Sequence, residues 1–159
     1  MSEFPLYTVP ANFEDAHINA DRYKVMYQRS LEDRDNFWAE MATEFLSWDR
    51  PWDKVLSYDF SSGFAEWFAG GALNVSYNCI DRHLPQRAEQ TALIWEGDDP
   101  ADSKCVSYAE LKEHVCRLAN ALKARGVGRG DRVCLYMPMI PEATYAMLAC
   151  TRIGAIHSV

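Results

Sequence analysis

A chain of 159 residues, 48% hydrophobic and 25% charged, has room for one domain with a sizeable core. That balance excludes a disordered tail, a collagen-like repeat and a coiled coil, and no apolar run reaches the roughly 18 residues of a membrane span. A net charge of −7 makes the chain a poor binder of nucleic acid, whose affinity begins with Lys and Arg neutralising phosphates.

The charge is uneven along the chain. Residues 1–60 hold 6 basic and 12 acidic groups, whereas residues 61–159 hold 10 and 11. The first stretch reads as an acidic, solvated wrapping and the second as the body of an enzyme domain. Residues 1–20 form an extended lead, because Pro5 and Pro10 block regular pairing. A helix is predicted over 21–30, with Tyr23, Met26 and Tyr27 on one face. A second is predicted over 35–47, with Phe37, Trp38, Met41, Ala42 and Phe45 forming a broad apolar stripe. Asp49-Arg50-Pro51-Trp52 stops it. Residues 54–73 are mixed, with Ala65–Phe68 a short strand running into the Gly70-Gly71 turn.

Asn74 is placed to cap a helix over 74–84. Strands near 92–95 and 104–106 make a hairpin around an acidic loop. Ser107-Tyr108-Ala109-Glu110 has the spacing of a capping box. It opens a helix over 108–124 with Leu111, Val115, Leu118 and Leu122 on one stripe. Gly126 stops that helix. Arg132–Met137 is a nearly continuous apolar strand, Pro141 opens a helix over 141–153, and Gly154 ends it. A strand near 155–158 follows. Strand, helix and strand make a βαβ unit with parallel strands, so the fold class is α/β: a helical N-terminal region, then the start of a helix-covered, partly parallel sheet.

Few side chains are spaced for chemistry. Gly126-Val127-Gly128-Arg129-Gly130 invites a phosphate-loop reading. That loop must follow a strand and precede a helix, and the order here is reversed, so a helix stop and tight turn is expected. Cys79 and His83 stand four apart on the predicted helix, yet no third ligand is spaced to complete a metal site. Asp81-Arg82-His83 point apart around a helix and are assigned ion pairs and hydrogen bonds at its surface. His114 is a core-edge residue, and His157 a packed strand residue. Glu96, Asp98, Asp99 and Asp102 make a solvated hairpin tip without calcium-loop spacing. Trp38, Trp48, Trp52 and Trp67 are core and interface anchors rather than stacking platforms for bases. Cysteines 79, 105, 116, 134 and 150 are odd in number and lack C-x-x-C spacing, so reduced thiols in a cytoplasmic protein are expected. The N-terminus shows no signal peptide.

The stretches Leu73–His83, Ile94–Asp98, Ser107–Leu111, Tyr136–Glu142 and Met147–Val159 resemble the acetyl-coenzyme A synthetases, AMP-forming acyl-CoA ligases of the adenylate-forming superfamily. The resemblance covers nearly the whole chain from about Asp21. The propionyl- and acetoacetyl-CoA synthetases share the later motifs. It implies an extended lead over 1–20, the N-terminal cap region over 21–80, and the beginning of an incomplete AMP-binding domain over 81–159. It also implies the reaction of acetate, Mg-ATP and coenzyme A through acetyl-adenylate, with a propionyl-CoA synthetase as the alternative.

The family's phosphate loop, later nucleotide-binding motifs, hinge Asp and C-terminal lysine have no counterpart in the sequence. Accordingly no catalytic, cofactor-binding or metal residue is assigned to this chain. It is expected to be an inactive N-terminal fragment of such a ligase, self-associating through an unfinished sheet. The rival reading is a non-catalytic interaction module built on the acidic, Trp-rich lead. No nucleic-acid or membrane partner is expected.

Overall fold

The computed structural model describes residues 7–13, 15–99 and 101–159. The first part of the predicted extended lead, with Pro5, lies outside the described residues. A 3-10 turn at Ala11–Phe13 precedes helix α1 (Ala20–Glu32), capped by the Asn19 side chain, which accepts from Arg22 N. Helix α2 (Arg34–Phe45) folds back beside α1, and the Arg29 guanidinium clamps the Glu40 carboxylate across the pair. Its apolar stripe is only partly covered. Phe37 and Ala42 are buried, while Trp38 and Phe45 remain exposed.

Strands β1 (Lys54–Asp59) and β2 (Phe64–Ala69) form an antiparallel hairpin. Only its second arm is legible in the sequence, because Lys54–Asp59 does not alternate cleanly. The turn supplies the missing signal. Asp59 Oδ1 accepts from both Ser61 N and Ser61 Oγ, and Gly63 takes a φ of 71°. Trp48, Trp52, Trp67 and Phe68 pack edge to face or tilted over this hairpin, with Trp38 against Trp67. The tryptophans pack on one another and on Phe68 rather than in a core: Trp38 and Trp67 stay exposed, and none joins the buried cluster.

The helix predicted over 74–84 is broken. Helix α3 (Val75–Cys79) stops at Ile80, a 3-10 turn covers Asp81–His83, and α4 (Leu84–Arg87) begins afresh. Pro85 explains the restart, since its ring would clash with the carbonyl of residue 81 in one continuous helix. Asn74 caps α3 as expected, accepting from Tyr77 N at 3.0 Å.

Strands β3 (Thr91–Glu96) and β4 (Ser103–Ser107) make the second antiparallel hairpin, which leads into α5 (Tyr108–Ala124) through a complete capping box. Strand β5 (Arg132–Cys134), helix α6 (Pro141–Ile153) and strand β6 (Ile156–Ser158) form the βαβ unit, with β5 and β6 parallel and Val133 opposite His157. Gly154 closes α6 at φ 76°, in the left-handed region that glycine tolerates. The pairing of β5 ends sooner than the predicted 132–137. Beyond it Leu135 N still reaches Ser158 O, but β6 offers three residues and Pro138 brings no donor. Among the described residues the strands form three separate two-stranded sheets. The core lies between α5, α6 and the β3–β4 hairpin, and consists of Ile80, Val106, Leu111, Val115, Ala119, Tyr145 and Ala149.

Candidate functional site

Among the described residues a closely bonded polar group centres on Asp81, in the turn that follows α3. Arg152, in the last turn of α6, donates to both Asp81 oxygens at 2.7 and 2.9 Å, and Lys112 of α5 approaches one of them at 3.2 Å. The Asp81 side chain is 13% exposed and that of Arg152 24%. Arg152 also donates to Ser76 Oγ, which is fully buried, while its carbonyl accepts from Asn74 Nδ2. The Arg152 bonds hold the Asp81 carboxyl below the usual aspartate range. Burial opposes this, and Lys112 reinforces it. A carboxylate so held keeps its charge and makes a poor proton acceptor, so the cluster works as a clamp rather than as an acid–base centre. It joins α3, α5 and α6.

A second feature is an open, largely apolar cleft of ≈ 520 Å³ between α5, α6 and β5. Leu118 and Leu122 of α5, Tyr145, Ala146 and Cys150 of α6, and Val133, Leu135 and Met137 line it, with His114, Arg117 and Glu142 also on its walls. The residues 133, 135 and 137 contribute at every second position, as one face of a strand must. His114 stacks parallel on Tyr145 at 4.7 Å between centroids. This agrees with its expected place at the core edge.

The other candidates fall into place as follows. The Gly126–Gly130 loop joins α5 to β5. Gly126 and Gly130 adopt φ near 86° and 85°, and Gly128 N already donates to the Asp131 carboxylate at 2.8 Å. An anion built into the loop disfavours a phosphate there, and the helix-stop reading stands. Cys79 and His83 do not share a helix face, because the break at Ile80 separates them. Among the described residues no three His, Cys, Asp or Glu side chains gather as a metal site. Asp81, Arg82 and His83 diverge as expected, but their partners come from afar. Arg82 donates to Phe45 O and to Asn78 Oδ1, and His83 lies near Tyr108. Glu96, Asp98, Asp99 and Asp102 sit at the β3–β4 hairpin tip. His157 is a half-buried residue of β6. Arg152 and Tyr145 carry no local signature in the sequence. The Asp81–Arg152 contact spans 71 positions, and only a tertiary fold can bring such residues together.

Comparison with known proteins places this framework. Residues 23–79 match the family model of the acetyl-coenzyme A synthetase N-terminus, and residues 80–159 match that of AMP-binding enzymes. The chain is 59% identical over 160 aligned residues to an acetyl-coenzyme A synthetase of Saccharophagus degradans, with all of this chain and 25% of that protein covered. It is 63% identical over 146 residues to acetyl-coenzyme A synthetase 2 of Pseudomonas putida, covering 92% of this chain and 22% of that one. In structure it is similar to the acetoacetyl-CoA synthetase from Streptomyces lividans, with a TM-score of 0.76 and 31% identity over 93% of this chain and 23% of that chain. The chain thus spans about a quarter of the length of the curated relatives it matches. No helix among the described residues is long and apolar enough to cross a membrane. The chain belongs to the AMP-binding enzymes, and its relatives among them include acetyl-coenzyme A synthetases.

Proposed function

We propose that this chain forms the N-terminal part of an acetate–CoA ligase. The observation that carries the reading is the continuous match, in which residues 23–79 and 80–159 align with two consecutive family regions at 59% identity to one relative. In the proposed reaction an acetate oxygen attacks the α-phosphorus of ATP, pyrophosphate leaves, and acetyl-adenylate forms. The thiol of coenzyme A then attacks the acetyl carbonyl and AMP leaves. Residues 1–20 serve as a lead, 21–80 as a cap region, and 81–159 as the beginning of the AMP-binding domain.

The chain's own contribution is framing. Phosphoryl transfer requires fixed cations and amide donors on the phosphates. The Gly126–Gly130 loop holds a carboxylate instead, and Asp81 is committed to Arg152 and Lys112. These residues do not fit a Mg-ATP site, so no catalytic, nucleotide, coenzyme A or metal contact is assigned to them. Five free cysteines and an acidic surface suit a cytoplasmic setting.

The test is a graft of this chain onto the S. degradans relative in place of its matching quarter. Acetate-dependent exchange between pyrophosphate and ATP should persist in the graft and be absent from the chain alone. A folded graft that has lost exchange, or one that prefers propionate, would refute the acetate–CoA ligase reading.

A further inference from the structure

Two stretches far apart in the sequence, Ile94–Asp98 and Tyr136–Glu142, meet in the structure. The indole Nε1 of Trp95, on β3, donates to the Met139 carbonyl at 2.7 Å, across 44 positions. Gly97 makes room for the ring. A Cβ there would stand 3.1 Å from Trp95 Cη2 and 3.1 Å from Asp102 O.

The accepting carbonyl lies where the chain between β5 and α6 is least fixed by its own residues. Pro138 and Pro141 set their own φ, and each restricts the residue before it. Ile140 accordingly takes φ −121° and ψ 158°. Met139 is neither a proline nor the residue before one. It is the centre of a three-residue turn, in which Ile140 N donates to Pro138 O at 2.8 Å. Its side chain is 92% exposed, so packing does not hold it. The Trp95 bond ties this turn to the β3–β4 hairpin.

The turn stands at a particular edge. β5 and β6 are parallel, and Leu135 N donates to Ser158 O, so the two strands end side by side. In open parallel α/β sheets, ligands bind outside the carboxyl ends of the strands. A loop at such an edge must be held still, because a displacement of about 1 Å already costs rate. The bond contributes little to the core, since Met139 lies outside the buried cluster. Its effect falls on the loop.

We propose that Trp95 is a positioning residue for the ligase reaction: by bonding Met139 O it holds the β5–α6 turn in the geometry in which that edge accepts substrate. The assignment to that reaction rests on the ligase reading, whereas the hold on the turn does not.

Trp95→Phe keeps an aromatic ring and removes the donor. In the isolated chain it should speed amide exchange at Ile140 about fivefold, the worth of one lost hydrogen bond, and leave Leu135 unchanged. In the S. degradans graft, the KM for acetate, ATP or coenzyme A should rise about fivefold while kcat stays within about twofold. A merely structural tryptophan would lower the melting temperature and the yield of active graft and leave every KM where it was. Unchanged exchange at Ile140 would overturn the proposal. So would faster exchange with no KM moved, since the turn would then be held for nothing. An unsubstituted graft without exchange of pyrophosphate into ATP is the failure of the ligase reading, and exchange at Ile140 then still decides whether Trp95 holds the turn.

Discussion

Asp81 is where three segments of the chain meet on one carboxylate, and its energetics follow from that geometry. Hydrogen bonds to charged groups are worth roughly 1.5–3 kcal/mol when buried partners are lost. Asp81→Asn should lower stability by about that amount, as measured by urea unfolding at neutral pH. The pH dependence has a definite sign. The folded-state value of Asp81 is depressed, so its contribution is complete above the unfolded value near 4 and fades as pH falls through the folded one. Wild type should therefore lose stability more steeply than Asp81→Asn below about pH 4. Tyr145 behaves oppositely. Its hydroxyl is buried without a hydrogen-bond partner, and burial, with Glu142 and Glu110 adding to it, pushes the phenol up. An unsatisfied buried polar group costs about 1–3 kcal/mol. Tyr145→Phe keeps the stack on His114 and removes that cost, so the melting temperature should hold or rise. A clear fall would show that the hydroxyl is bonded in solution.

At the scale of elements, α5 begins at a complete capping box and α6 ends at a left-handed glycine. Ser107 Oγ accepts from Glu110 N at 3.2 Å, and Glu110 Oε2 accepts from Ser107 N at 2.8 Å. Ser107→Ala should cost about 0.5–2 kcal/mol in chemical denaturation. Gly154→Ala meets two penalties. Its φ of 76° disfavours a side chain by roughly 1–2 kcal/mol. A Cβ there would also lie 3.1 Å from Arg129 Cγ, whereas at Gly126 it would meet nothing. Gly154→Ala should therefore destabilise more than Gly126→Ala. These caps were legible because they are local: Ser107, Glu110, Asn74, Pro141 and Gly154 each act within a few positions. The parallel β5–β6 pair was legible because a helix of the right length joins two apolar runs. What stayed hidden is non-local or set by exclusion. Strand β1 lacks clean alternation and exists through its partner β2. The break at Ile80 depends on what Pro85 forbids one turn earlier. The Asp81–Arg152 clamp joins residues no spacing rule connects, and no local pattern marks Tyr145.

Across the whole molecule, apolar surface is left uncovered at both ends of the described chain. No residue of α1 is buried, and Tyr23, Val25, Tyr27 and Leu31 are exposed along it. Ile156, Tyr136 and Met139 are exposed around the βαβ unit. Surfaces of this kind associate, at about 25 cal/mol per Å² removed from water. The isolated chain should sediment as species heavier than a monomer and brighten a dye that binds apolar surface, despite its charge of −7. A sharply melting monomer that binds no dye would favour an interaction module with a closed core of its own.

The clamp on Asp81 also imposes an order in time. The carboxylate is synthesised 71 residues before the guanidinium that clamps both its oxygens. At a synthesis rate of roughly 5–20 residues per second, that interval is about 4–14 s. During it the aromatic hairpin around Trp48 and Phe68 is already complete in sequence and free to collapse. The turn at Asp81, by contrast, has only Lys112, synthesised 31 residues after it, as a partner for its charge until Arg152 follows. The N-terminal region is thus assembled early and fastened late, when the last turn of α6 leaves the ribosome.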